Sequence, residues 1–86
     1  MAYKVIVPDG AKKQLAKLDK PAQKRIVQFL VALGEADNPR LHGIAMQGNS
    51  RLWRYRIGEY RLIANIDDDV ITITITKIGH RREVYR

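Results

Sequence analysis

The sequence predicts a small α+β fold: an N-terminal strand, a helical hairpin, then an antiparallel three-stranded meander. Three observations predict it. Two stretches in the first half carry apolar residues at helical spacing, separated by Asp19-Lys20-Pro21. Three runs in the second half alternate apolar and polar residues with period two. Two of those runs are joined by the two residues Gly58-Glu59, the length of a tight hairpin loop.

Each element can be justified in order. Tyr3 to Val7 is a short β-prone run, ended by Pro8-Asp9-Gly10, with Asp9 suited to cap a helix. Ala11, Leu15 and Leu18 then fall on one helical face, while Lys12, Lys13 and Lys17 face away. Asp19-Lys20-Pro21 breaks that helix and restarts a second, with Pro21 in its first turn. Ile26, Phe29, Leu30 and Leu33 form its apolar face, and Gly34 lies near its end. Residues 34–51 read as a loop, with Leu41, Ile44 and Met46 expected to pin it to the core.

The meander follows. Leu52 to Ile57 places Trp53, Tyr55 and Ile57 on one face and Arg54 and Arg56 on the other. Gly58 at the first central position suits a type II′ turn, which pairs Ile57 with Tyr60, Arg56 with Arg61 and Tyr55 with Leu62. Tyr60, Leu62, Ala64 and Ile66 then share the apolar face. In the last strand, expected over 70–78, Ile71, Ile73 and Ile75 alternate with threonines. An Asp68-Asp69 loop, or one of the same parity, sets Ile66 opposite Ile71, Ala64 opposite Ile73 and Leu62 opposite Ile75. A one-residue slip would set isoleucines against Arg61 and Asn65.

Length and composition narrow the function. The 86 residues make one domain, spanning 1–86. The absence of cysteine excludes disulfides, cysteine-ligated zinc and a thiol nucleophile. No apolar run approaches the roughly 20 residues of a membrane span. Lys4, Pro8 and Asp9 interrupt any signal-peptide pattern, so a soluble cytoplasmic protein is expected. The net charge of +7, with a pI near 10.1, calls for an anionic partner, nucleic acid first. Residues 51–86 hold seven arginines and Lys77, whereas the first half is lysine-rich. The planar guanidinium grips phosphate oxygens bidentately, so the second half is the place for phosphate chemistry.

There the polar sheet face carries Arg54, Arg56 and Arg61, with Arg56 and Arg61 directly opposed. Like charges so placed are destabilising on a pair scale of roughly 0.2–1 kcal/mol. Folding alone does not account for them; a bound polyanion does. After the last strand come Gly79-His80-Arg81-Arg82-Glu83-Val84-Tyr85-Arg86. His80 brings an imidazole, which exchanges protons near neutrality, and Tyr85 can stack on a base or orient a phosphate. Two histidines, His42 and His80, give little from which to build a transition-metal site. Asp67-Asp68-Asp69 reads as a solvated turn. There is no Walker motif or GxGxxG, and Ser50, the only serine, has no triad context. What remains is acid–base chemistry on an RNA phosphodiester, with no cofactor, in which the 2′-hydroxyl attacks the adjacent phosphorus.

Trp53-Arg54-Tyr55-Arg56, then Tyr60-Arg61-Leu62, then Gly79-His80-Arg81-Arg82-Glu83-Val84-Tyr85 resemble the RelE branch of the RelE/ParE toxin superfamily, and the similarity spans nearly the whole chain. The resemblance implies a toxin that cuts mRNA in the ribosomal A site and is neutralised by a cognate acidic antitoxin. By position, Arg54 and Arg56 match the family's basic pair, which is lysine in its best-known members. Arg61 matches the phosphate-binding arginine. Arg81 matches the arginine after the last strand, with Arg82 as a further phosphate contact, and Tyr85 the C-terminal tyrosine that meets the substrate. Arginine is a poor base, so His80 is assigned the proton, with Glu59 the weaker candidate. Two other readings stand beside the nuclease: a ParE-like toxin that poisons DNA gyrase, and a plain basic RNA-binding module. The arginine, histidine and tyrosine set favours the nuclease over the gyrase toxin.

Overall fold

The alternating and helical segments form two helices and a five-stranded sheet in a computed structural model that describes residues 2–48 and 51–80. Among these residues the order is β1 (Lys4–Ile6), α1 (Asp9–Ala16), α2 (Lys20–Glu35), β2 (Ile44–Ala45), β3 (Leu52–Ile57), β4 (Tyr60–Asp67) and β5 (Thr72–His80). The sheet order is β1-β5-β4-β3-β2. The expected meander, β3-β4-β5, is its centre. It is extended by β1, which runs parallel to β5, and by β2, a two-residue edge strand antiparallel to β3 within the stretch expected to be all loop.

Local chemistry sets the helix ends. Asp9 does not cap α1 as expected. Pro8 occupies the cap position, and Asp9 is the first helical residue, where its carboxylate favours the positive end of the helix dipole. Asp19 does cap α2, its side chain accepting from the Ala22 amide at 3.2 Å. Gln23 fastens the turn between the helices, donating to the Leu18 carbonyl at 2.7 Å. The helices cover one face of the sheet. Ile26 of α2 and Leu62, Ala64, Ile73 and Ile75 of the sheet are fully excluded from water, as the periodicities require. Gly34 lets β1 approach α2: its carbonyl accepts from the Tyr3 amide at 2.7 Å, and a Cβ there would lie 3.0 Å from the Val5 side chain.

The first hairpin has the expected register, with Arg56 opposite Arg61, Gly58 at φ +61° and Glu59 outside the left-handed region. The second is displaced by two residues. Ile66 pairs with Ile73 and Ala64 with Ile75, because Val70 and Ile71 belong to the turn. The Ile71 amide donates to the Asp68 carbonyl, and Ile71 takes φ +47°, a costly value for a β-branched residue. The slip is even, so the isoleucines keep the core face. A bulge then breaks the ladder. Ile63 pairs with Lys77 and Leu62 with Ile78, leaving Thr76 as the extra residue, its hydroxyl donating to the Ile63 carbonyl at 3.1 Å. Beyond the bulge the alternation is reversed.

The segment from Ala36 to Gly48 is held differently from expectation. Leu41 and Ile44 are 71% and 58% exposed and pin nothing to the core. The anchor is Pro39, which is fully buried and whose carbonyl accepts from the Tyr55 hydroxyl at 2.6 Å. Arg40 adds a second tether: its guanidinium reaches Asp68 at 2.9 Å and lies 5.9 Å from the Trp53 ring centroid. Asp68 also accepts from the Tyr3 hydroxyl at 2.7 Å, so one carboxylate joins the N-terminal segment, the loop and the last turn.

Two predictions follow from these tethers. Tyr55→Phe removes the donor to a buried carbonyl and should lower stability by about 1–2 kcal/mol in a urea melt. Hydrogen exchange at the Gly43 amide should accelerate in the same variant. The second concerns acid. The Tyr3 hydroxyl, assisted by Arg40, holds the Asp68 carboxyl below the usual aspartate range. A lowered folded-state value contributes stability above the unfolded-state pKa of about 3.9, and that contribution is lost as pH falls from there through the folded value. Asp68→Asn should therefore flatten the acid limb of a stability-versus-pH curve below about pH 4. A limb identical to wild type would remove Asp68 from the acid response.

Candidate functional site

Period-two alternation in β3 buries Tyr55 and Ile57 and turns Arg54 and Arg56 to the other face. The two-residue hairpin brings Arg61 of β4 opposite Arg56, as the sequence predicts. Arg54, Arg56 and Arg61 line one cleft of about 320 Å³, together with His42, Ile44 and Tyr55. Arg56 is exposed, its Nε 3.5 Å from the Gly58 carbonyl, and Arg61 donates from Nη1 to the Tyr60 carbonyl at 3.3 Å. Gly79 pairs with Arg61 on the β5 side and brings no side chain beside it. Cations of fixed charge on an open sheet face suit phosphate oxygens and offer no proton acceptor.

His80 stands elsewhere. Simple alternation through Ile71, Ile73 and Ile75 would place it on the arginine face. The bulge at Thr76 turns Ile78 and His80 to the helix-covered face, where His80 pairs with Tyr60. The two rings meet edge to face at 5.9 Å and 83°. They border a second cavity, of about 570 Å³, closed by Gln14 of α1 and by Lys17 and Leu18 just beyond its end. Gln14 accepts from the Ile78 amide at 2.8 Å and fixes this end of β5. The sheet therefore separates His80 from Arg61. The signal was present in the sequence: Ile78 follows Ile75 by three residues, not two, which breaks the period. Glu59 lies exposed in the turn. Arg81, Arg82 and Tyr85 lie outside the described residues.

His42 is the residue that sequence reasoning left without a role. No periodicity marks it. The tethers on either side of it carry it to the cleft: Pro39 and Arg40 before it, and after it β2, where Ile44 pairs with Arg54. Gly43 passes against the Tyr55 ring so closely that a Cβ would sit 2.8 Å from a ring carbon. Burial pushes the Tyr55 phenol up to about 12, with Arg40 opposing weakly, so it stays protonated and bound to Pro39. Among the described residues no cluster of histidine and carboxylate groups could hold a metal ion, and no helix is long and apolar enough to cross a membrane.

Comparison with known proteins fits this geometry. The family model described as the ParE toxin of the type II toxin–antitoxin system parDE matches residues 5–85. Toxin RelG of Mycobacterium tuberculosis is 28% identical over 86 residues, covering 100% of this chain and 99% of the relative. The RelBE2 toxin–antitoxin complex of the same organism contains a chain that superposes with a TM-score of 0.84 at 28% identity, over 94% of this chain and 100% of that one. The RelE–RelB complex of Pyrococcus horikoshii gives 0.81 at 29% identity, over 96% and 99%. An Escherichia coli RelE mutant in the free state, at 24% identity and a TM-score of 0.82 over 99% and 92%, shares the fold. With a family model matching nearly its whole length and the fold shared with solved toxins of this kind, the chain belongs to the ParE toxin family of type II toxin–antitoxin systems and to the RelE branch of the RelE/ParE superfamily.

Proposed function

We propose that this toxin is a ribosome-dependent endoribonuclease that cleaves mRNA in the A site and so inhibits translation. The observation that carries the reading is the opposed Arg56–Arg61 pair, with Arg54 beside it, on an open sheet face. Two cations directly opposite each other work against folding and are relieved by a bound phosphate. RNA brings its own nucleophile. The 2′-oxygen attacks phosphorus, the bond to the 5′-oxygen breaks, and a 2′,3′-cyclic phosphate remains, with one proton leaving the nucleophile and one reaching the leaving group. The protein's share is to orient the phosphate, stabilise the charge on the phosphorane and move a proton, and the reading requires no metal or cofactor. Arg61 is the clamp on the scissile phosphate, Arg54 and Arg56 hold the backbone, and by family position Arg81 and Tyr85 meet the substrate while Arg82 adds a phosphate contact. A toxin that acts on ribosomes works in the cytoplasm.

The partner that restrains it is a cognate antitoxin. The RelB chains in the complexes of similar toxins support this, and the charge of +7 favours an acidic segment. A ParE-like attack on DNA gyrase is the second reading, favoured by the ParE description of the matching family model. A reconstituted translation assay beside a gyrase supercoiling assay separates the two: mRNA cut on programmed ribosomes supports the first, and inhibited supercoiling with intact mRNA supports the second.

Two further outcomes are expected. Arg61→Ala should slow single-turnover cleavage by about 10²–10³-fold, while a urea melt shows stability unchanged or raised by no more than about 0.5 kcal/mol. An unfolded variant would make Arg61 structural, and an undiminished rate would end its role as the clamp. The association rate with an acidic antitoxin should fall steeply between about 50 and 500 mM salt. A flat profile would argue against electrostatic steering.

A further inference from the structure

We infer that His42 is the group that takes the proton from the attacking 2′-hydroxyl in the arginine cleft. The inference rests on the nuclease reading above. Among the described residues that line the cleft, each of the others fails as a proton acceptor. The guanidinium groups of Arg54, Arg56 and Arg61 are hydrogen-bond donors with no acceptor atom to offer. Ile44 offers only apolar surface. The Tyr55 phenol is pushed up to about 12 and its hydroxyl is committed to the Pro39 carbonyl at 2.6 Å. Imidazole is the side chain suited to exchange a proton near neutrality, and His42 supplies one to the arginine cleft. His80 lies across the sheet beside Tyr60.

Position supports the chemistry. His42 is exposed, so substrate can reach it, yet its backbone is fixed. The Leu41 amide donates to the Asn38 carbonyl at 3.2 Å and the Gly43 amide to the Arg40 carbonyl at 3.0 Å. The charged groups that share the cleft with it are Arg54 and Arg56 of β3 and Arg61 of β4, while α2 presents the uncharged Phe29, Ala32 and Leu33 to its other side. A dinucleotide whose phosphate sits among the arginines must then lie with its 2′-oxygen toward His42. As that oxygen bonds to phosphorus, its proton passes to an imidazole nitrogen of His42. The bond to the 5′-oxygen breaks, the leaving oxygen takes a proton from water, and the imidazolium returns its own to solvent. The arginines balance the charge on the non-bridging oxygens throughout.

The test is single-turnover cleavage of mRNA on programmed ribosomes from about pH 5.5 to 8.5, with wild-type protein, His42→Gln, His42→Ala and His80→Gln. His42→Gln should slow cleavage by about 10²–10⁴-fold and abolish the rise of rate with pH, with ribosome binding and the urea midpoint unchanged. Added imidazole should restore part of the rate of His42→Ala, which a merely structural role would not allow. A loss of less than about threefold in His42→Gln overturns the inference. So does a larger loss and a flattened pH profile in His80→Gln; the nuclease reading then stands, with its proton acceptor on the other face. Wild-type protein that leaves ribosomal mRNA whole while blocking gyrase overturns the nuclease reading and the inference with it.

Discussion

Tyr55 keeps its ring in the core, tilted against Phe29 at a centroid distance of 5.4 Å, and extends its hydroxyl to the backbone of a loop sixteen residues away. Much else hangs on that reach. The loop carries His42, and β2 continues from it along β3. Without the phenol, the Pro39 carbonyl would be buried with no donor, a state that folded proteins avoid. Gly43 is the counterpart: only a residue without a side chain lets the loop pass so close to the ring. The cleft is therefore an extension of the core. Its far wall stands where a buried hydrogen bond holds it, independently of any regular element longer than two residues.

The cleft also shows how a small domain tolerates a site that works against it. Arg56 and Arg61 repel each other on one face of the sheet, while on the other face Leu62, Ala64, Ile73 and Ile75 are fully buried beneath the helices. Burying an aliphatic side chain contributes about 1.5–3 kcal/mol, against a pair repulsion of roughly 0.2–1 kcal/mol. The hydrophobic face thus offsets the charged one several times over. Removing a charge is expected to leave the fold intact and the function impaired, the usual asymmetry of a binding site.

The helices, their break at Pro21, the hairpin at Gly58 and the Arg56–Arg61 pair were legible because each is governed by local chemistry: caps, apolar spacing, turn length. Three features were not. The parallel pairing of β1 with β5 joins residues far apart in the chain, and no local pattern encodes it. The loop around Pro39 and Arg40 is held through Tyr55 and Asp68, residues that periodicity sorts only into inside and outside. The bulge at Thr76 left a trace, the three-residue step from Ile75 to Ile78, but the regular threonine alternation before it masks the change. That single extra residue decides which face His80 occupies, so the grouping of the three arginines was readable and the placement of His80 was not.

The pairing of β1 with β5 has a consequence for biosynthesis. Lys4 can find Thr72 only after the intervening chain has been made, so the sheet closes late during translation. The helical hairpin and the β3–β4 hairpin can form as they emerge, but the layer beneath β1 and the tie from Tyr3 to Asp68 must wait. A ribosome making this protein therefore carries an unfinished toxin at least until Thr74 has emerged. The delay leaves an interval in which an antitoxin already present can meet the chain as it completes its fold.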